Sequence, residues 1–178
     1  MDMLKDKEDN AFNPPHKMSA HFYYSEFIRS ETATRDEIDN NCYDPVKLEM
    51  AQRFAEEILE KIRTKFGSFR PNSWYRCEEL ERRLTRSGYA SFLARRNLSP
   101  SQTNWDSYFK NKQHPKGWAA DVEVTGHSND AIFAWCKENL EYDQLIREFG
   151  KKGQPYSGWV HISWNPEGDN RKQAFDIN

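Results

Sequence analysis

The chain has few cysteines and no motif built from them. Its 178 residues include three, Cys42, Cys77 and Cys136. No CxxC pair is present to build a zinc ribbon, and no even set to build a disulfide framework, so the thiols read as buried or idle. No apolar run approaches the roughly 20 residues of a membrane span. Residues 1–10 carry charges where a signal peptide needs an apolar segment, and the expectation is synthesis in a cytoplasm without an export signal. Charge of one sign is lacking as well. Lys and Arg number 26 against 28 Asp and Glu, a net charge of −2, which leaves no overall basic field for nucleic acid or anionic lipid. The local cluster Arg82, Arg83, Arg86, Arg95 and Arg96 has Glu78, Glu79 and Glu81 beside it and reads as a solvated helix face. No internal repeat is visible.

Aromatic residues, in contrast, are plentiful. At 14% of the chain they exceed what disordered segments carry, so the polar composition belongs to a folded domain with a wet surface. The length suits one domain. Residues 1–18, with Pro14 and Pro15, read as a flexible N-terminal tail, and 19–178 as a single domain. Ser25 stands as the cap of a short helix at Glu26, Phe27 and Ile28. Asp44 and Pro45 open a longer one, whose apolar Leu48, Ala51, Phe54, Ala55, Ile58, Leu59 and Ile62 keep helical spacing until Gly67 stops it. A strand is expected over 68–76, a helix over 78–87, and a long connection over 88–113. Further on the pattern predicts a strand over 119–124, a helix over 130–140 capped by Ser128 or Asn129, a strand over 142–148 and a strand over 159–164. Alternation in the last sets Trp159, His161 and Ser163 on one face and Val160, Ile162 and Trp164 on the other. The fold class is α+β, with a small, mainly antiparallel sheet flanked by helices.

Of the five histidines, His16 and His21 lie in or near the tail and His127 in a turn. His114 and His161 have more telling neighbours. His114 begins a segment that runs through Gly117 into a strand, where Asp121 sits among Ala119, Ala120, Val122 and Val124. A carboxylate there is costly to bury unless paired or bound to metal. His161 lies in an apolar aromatic strand. Two imidazoles and a carboxylate form a suitable catalytic zinc set, leaving a fourth position for water. Such hydrolysis needs a base, for which Glu148 is the candidate, and a group to hold a carboxylate or oxyanion, for which Arg76 is the candidate. On spacing alone, a satisfied core His161 and a turn-capping Asp121 remain an open alternative.

His114, Gly117, Ala119 and Asp121 match the pattern H-x-x-G-x-A-x-D. Trp159-Val160-His161 matches a W-x-H strand, Ser73-Trp74-Tyr75-Arg76 an S-G-Y-R segment, and the stretch from Asp143 to Glu148 a D-Q-L-I-x-E segment. In this order they resemble the M15 family of zinc D-Ala-D-Ala carboxypeptidases, including its branch in phage lysis and tail proteins. His21-Phe22 and Glu26 to Ser30 also look like that branch's opening. The resemblance covers about residues 21 to 175. It implies a hedgehog/DD-peptidase-like fold and one zinc ion on His114, Asp121 and His161. It implies Glu148 as catalytic base, Arg76 near the substrate, and Ser73, Tyr75 and Trp159 in substrate binding. The implied activity is cleavage of peptide bonds in peptidoglycan, as carboxypeptidase or endopeptidase; for oligomeric state, which the sequence does not encode legibly, a monomer is the default expectation. Without an export signal such an enzyme reaches the cell wall through a phage holin or in a virion. The chain departs from the family at Lys112, where a Ser is usual two residues before the first His, and at Trp74, where the Gly of S-G-Y-R is expected. Some branches place the catalytic Glu three residues before the last His, where Gly158 stands here. These departures keep open a second reading, a structural or wall-binding phage module that retains the fold with weak or no catalysis. A hydrolase of a different amide is a third.

Overall fold

The computed structural model describes residues 13–177, so most of the expected tail lies outside the described residues. The chain is docked slightly before residue 19: Tyr24 N donates to the carbonyl of His16 and Met18 is buried in the core. Helix α1 (Tyr24–Phe27) starts at Tyr23 rather than at Ser25. Glu26 Oε2 accepts the Tyr23 backbone N–H at 2.9 Å, and this carboxylate does the capping that a hydroxyl was expected to do. Ser30 caps α2 (Glu31–Arg35).

Asp44 and Pro45 behave as their chemistry dictates. Asp44 Oδ1 accepts from Val46 N and Lys47 N, two of the donors that a helix start leaves unpaired. The rod that follows comprises α3 (Pro45–Phe54), a π-helical turn (Ala55–Leu59) and α4 (Glu60–Phe66). Its expected apolar face is buried throughout, and it ends at Gly67, φ +92°. The connection over 88–113 is largely helical. Helix α5 (Glu78–Leu84) is followed by α6 (Arg86–Arg96) and α7 (Gln102–Phe109). Tyr89, Phe92, Trp105 and Tyr108 hold the last two together. Cys77 is not idle, because its Sγ accepts the Leu80 N–H and caps α5. The basic cluster is substantially paired: Arg82 with Glu78 and the Trp105 ring, Arg83 with Asp36, Arg96 with the Phe92 ring. No helix among the described residues is long and apolar enough to cross a membrane.

Strands β1 (Ala119–Val122), β2 (Gln144–Glu148), β3 (Trp159–Ser163) and β4 (Gln173–Ile177) form a sheet in the order β1-β3-β2-β4, with α8 (Asn129–Asn139) capped by Ser128. The β1–β3 and β2–β3 pairs are antiparallel and β2–β4 is parallel, so the sheet is mainly antiparallel, as expected. Segment 68–76 is not a strand. It touches the edge of β1 through one bridge, Ser73 to Asp121, since Pro71 interrupts it and Trp74 turns inward, fully buried. The register fixes two faces. Ala120, Val122, Val160, Ile162 and Leu145 are fully buried on one and join the rod and α8 in a single core. Asp121 lies opposite His161, which lies opposite Ile146, while Glu148 lies opposite Trp159. These residues share the other face.

Gly158 enters β3 at φ +62°, and a Cβ there would collide with the carbonyl oxygen of Glu148. No side chain fits at the position where the resembled branches carry a glutamate. Gly158→Ala is expected to destabilise the chain by about 2 kcal/mol or more, read from the midpoint of urea unfolding. A loss below about 0.5 kcal/mol would show that this backbone relaxes freely.

Candidate metal centre

Each of the three central residues comes from a different local device. His114 opens a short 3-10 turn that ends at Gly117, φ +85°. A Cβ on Gly117 would press on Ala51 and on the Lys47 carbonyl at 3.0 Å, so only glycine lets this turn lie against the rod. Trp74 Nε1 donates to the Gly117 carbonyl at 2.7 Å. The tryptophan that replaces the glycine of the resembled motif thus fills the core and pins the turn. Asp121 and His161 face each other across β1 and β3. All three are at least nine-tenths buried, and their ligand atoms lie within 4.8 Å of one another.

The hydrogen bonds decide which atoms face inward. His114 Nδ1 lies 2.6 Å from the Trp74 carbonyl, which only accepts, so Nδ1 carries the proton and Nε2 presents a lone pair. That lone pair faces Asp121 Oδ1 at 3.3 Å. His161 Nε2 lies 3.1 Å from Gln113 Oε1, again an acceptor, so Nε2 carries the proton. Its Nδ1 lone pair faces the same Asp121 Oδ1 at 3.0 Å. With both rings neutral, three acceptor atoms converge, and the site calls for a proton or a cation among them. An unsatisfied buried acceptor costs about 1–3 kcal/mol, and lone pairs turned on a carboxylate repel it. Protonating His114 would relieve this, but burial and the Arg76 charge push its pKa down despite the pull of Asp121. Burial alone would raise the pKa of Asp121. The neighbouring His114, His161 and Arg76 overcome that and hold it well below the usual carboxylate range. A buried carboxylate facing two imidazoles is a donor set for a cation, and the group could hold a metal ion.

Around it lies a cleft of about 330 Å³ lined by Arg76, Glu81, Thr85, Lys112, Gln113, Gln144, Ile146, Glu148, Trp159 and the three central residues. Glu148 is there as expected, diagonal to His161 on the same sheet face, a spacing of about 7–8 Å between backbones. Burial and then the Asp121 charge push its pKa up, against the opposing pull of His161, Arg76 and Trp159. Trp159 also lines the cleft. Arg76 reaches it, but its fork is not free for substrate. Nη2 holds Asp121 Oδ2 at 2.7 Å, Nε holds Ser73 Oγ at 2.9 Å, and Nη1 sits 3.6 Å from Glu81. Ser73 accordingly serves Arg76 rather than lining the cleft. Tyr75 is displaced from its expected role: its ring is buried against Phe27, held there by its backbone N–H donating to the Phe27 carbonyl. Lys112 projects into the cleft over the Tyr108 ring, 3.9 Å from Glu81. His16, His21 and His127 are not among the cleft residues.

Sequence reasoning missed Gln113, Glu81 and the Trp74 carbonyl. A glutamine next to a ligand histidine was the one available signal, and nothing in the spacing marks Glu81. Glu81 is 2% exposed, and its Oε2 has no hydrogen bond, with Arg76 Nη1 3.6 Å away. It lines the cleft and offers an acceptor, while the Trp159 indole on the same face acts on Glu148. The chain matches no family model, no curated protein and no solved structure.

An unfolded glutamate titrates near the ordinary 4.5, and folding raises this value at Glu148. Above that window the folded state must carry a charge its surroundings disfavour, so stability contributed at low pH is lost as pH rises through the folded value. Glu148→Gln is neutral throughout. In metal-free protein at pH 7 the variant is expected to be more stable than the wild type, and the gap to close below about pH 4. Denaturant unfolding across this range checks it, and an equal or lower stability of the variant at pH 7 would contradict the assigned burial.

Proposed function

We propose that the chain is a zinc-dependent hydrolase that cleaves peptide bonds in bacterial peptidoglycan. The observation that carries this reading is the buried convergence of His114 Nε2, His161 Nδ1 and Asp121 Oδ1. Mixed imidazole and carboxylate ligands, three in number, are typical of catalytic zinc. Ligands held about 2.0–2.1 Å from a tetrahedral ion lie about 3.3 Å apart, close to the 3.3 and 3.0 Å found for the two histidines against Asp121. The four ordered sequence matches to zinc D-Ala-D-Ala carboxypeptidases supply the substrate class.

Zinc held there supplies Lewis acidity, polarising a scissile carbonyl and lowering the pKa of a water. The chain's own residues do the rest. Glu148 takes a proton from the attacking water as the new C–O bond forms, and returns it to the amine nitrogen as the C–N bond breaks. Its raised pKa suits both halves of that cycle. Arg76 fixes the carboxylate of Asp121 through Oδ2, leaving Oδ1 turned to the histidines. Glu81 Oε2 offers an acceptor to a polar substrate such as a peptide, and the Trp159 indole steadies Glu148.

Digestion of purified peptidoglycan tests the proposal. The zinc-loaded protein is expected to release new stem peptides and amines, and a chelator to stop the release. Glu148→Gln is expected to keep about one zinc per chain and lose activity by about 100-fold or more. Full activity in that variant removes Glu148 from its role. Zinc without any wall cleavage favours a different amide substrate, and no zinc after reconstitution favours a structural or wall-binding module.

A further inference from the structure

The polar contacts behind His161 continue past Gln113. Gln113 Nε2 donates to Asp143 Oδ2 at 2.5 Å. Asp143 accepts Nε and Nη2 of Arg171 at 2.7 and 2.6 Å, and the Arg171 backbone N–H at 3.1 Å. Gln113 and Asp143 are buried, 9% and 8% exposed, while Arg171 lies at the surface just before β4. Asp143 precedes β2, and its N–H is held by the Ser163 carbonyl at the end of β3.

This chain of contacts has only one consistent set of donors. The carboxylate of Asp143 is ionised, because the Arg171 hydrogen bonds hold its pKa below the usual range against the effect of burial. It can only accept, so the amide nitrogen of Gln113 must face it. That orientation turns Oε1 toward His161 Nε2, which must then be the protonated nitrogen. In the neutral ring the other nitrogen is then left bare toward Asp121. Were Gln113 absent, the ring would be free to place its proton on Nδ1 instead, where Asp121 Oδ1 at 3.0 Å would accept it. That tautomer fills the centre with a hydrogen bond and removes a ligand lone pair.

We infer that Gln113, Asp143 and Arg171 form a positioning relay that locks His161 in the Nε2–H tautomer and so sets how tightly the centre takes a divalent cation. The lock is a property of the metal-free chain, whereas its effect on affinity rests on the metal reading proposed above. A surface arginine thereby controls a buried ligand three side chains away. Partners behind a ligand histidine typically alter metal affinity about 10–100-fold.

Two measurements on the full chain test this. In metal-free protein labelled with nitrogen-15 in histidine, His161 is expected to show one tautomer with the proton on Nε2. Gln113→Leu, close to isosteric, is expected to move that proton to Nδ1. Zinc affinity, measured by competition with a chromophoric chelator, is expected to fall about 10–100-fold in Gln113→Leu and in Asp143→Ala. Arg171→Leu is expected to cost less, because its contacts are partly exposed. The paired change Gln113→Glu with Asp143→Asn keeps an acceptor on His161 and a donor behind it, and is expected to restore zinc affinity at least to the wild-type level. A merely structural role would leave that pair as impaired as the single variants. The relay is overturned if His161 keeps its tautomer in Gln113→Leu, or if that variant binds zinc as tightly as the wild type. If the wild type takes no zinc, the metalloenzyme reading falls, and the nitrogen-15 spectra alone decide the lock.

Discussion

Asp121 is a carboxylate placed in the middle of a four-residue strand whose other members are alanine and valine, and every one of the four is buried. An ionised carboxylate in such a position is tolerable only with compensating partners. One oxygen, Oδ2, has a full partner in Arg76. The other, Oδ1, is met by two imidazole nitrogens whose rings are also held by the Trp74 carbonyl and by Gln113. The half that Arg76 does not satisfy is the half that could take a cation. Much of the surrounding architecture serves this asymmetry. Trp74 supplies a carbonyl on one side and an indole that pins the Gly117 turn on the other, Ser73 steadies Arg76, and β3 pairs His161 directly with Asp121.

The sheet makes this possible by keeping two incompatible environments one residue apart. Along β3, Val160 and Ile162 enter the apolar core shared with the rod and α8, while Trp159, His161 and Ser163 belong to the opposite face. A shift of register by one residue would send His161 into the core and leave Ile162 facing Asp121. The apolar alternation that stabilises the fold therefore also enforces the geometry of the centre. Tight positioning follows from core packing, without demanding that the polar face stabilise anything.

This coupling explains which parts were legible in the sequence. His161 and Asp121 stood out because each breaks an apolar strand pattern, and such a break is costly enough to require a reason. Helix α3 was legible from Asp44, Pro45 and a run of apolar spacings, since those signals are local. The α6–α7 pair was not, because its polar composition gives a weak amphipathic pattern and its packing rests on aromatic contacts such as Tyr89 with Trp105. Segment 68–76 carried the aromatic content of a strand, yet Pro71 and the inward Trp74 reduce it to a single bridge. Tyr75 was placed at the site by motif and lies in the core by geometry. Gln113, Asp143 and Arg171 are 30 and 28 residues apart along the chain, and no periodicity connects them. Tertiary contact alone makes them a unit.

The cleft departs from the rules that most of the fold obeys, and the departures are of one kind. Glu148 is held where its charge is disfavoured. Glu81 Oε2 is buried with no hydrogen bond, facing Arg76 only at 3.6 Å. Two imidazole nitrogens face one carboxylate oxygen. Each of these arrangements is electrostatically demanding, and each suits a group of the opposite character: a positive charge at the centre, a hydrogen-bond donor at Glu81, a proton at Glu148. Core positions nearby show no such imbalance, since Trp74, Cys77 and Asn40 all have their polar atoms matched. Arg147 Nη1, on the far side of β2, is a further buried donor without a hydrogen bond, so it is the gathering of titratable groups around one buried anion that marks the cleft.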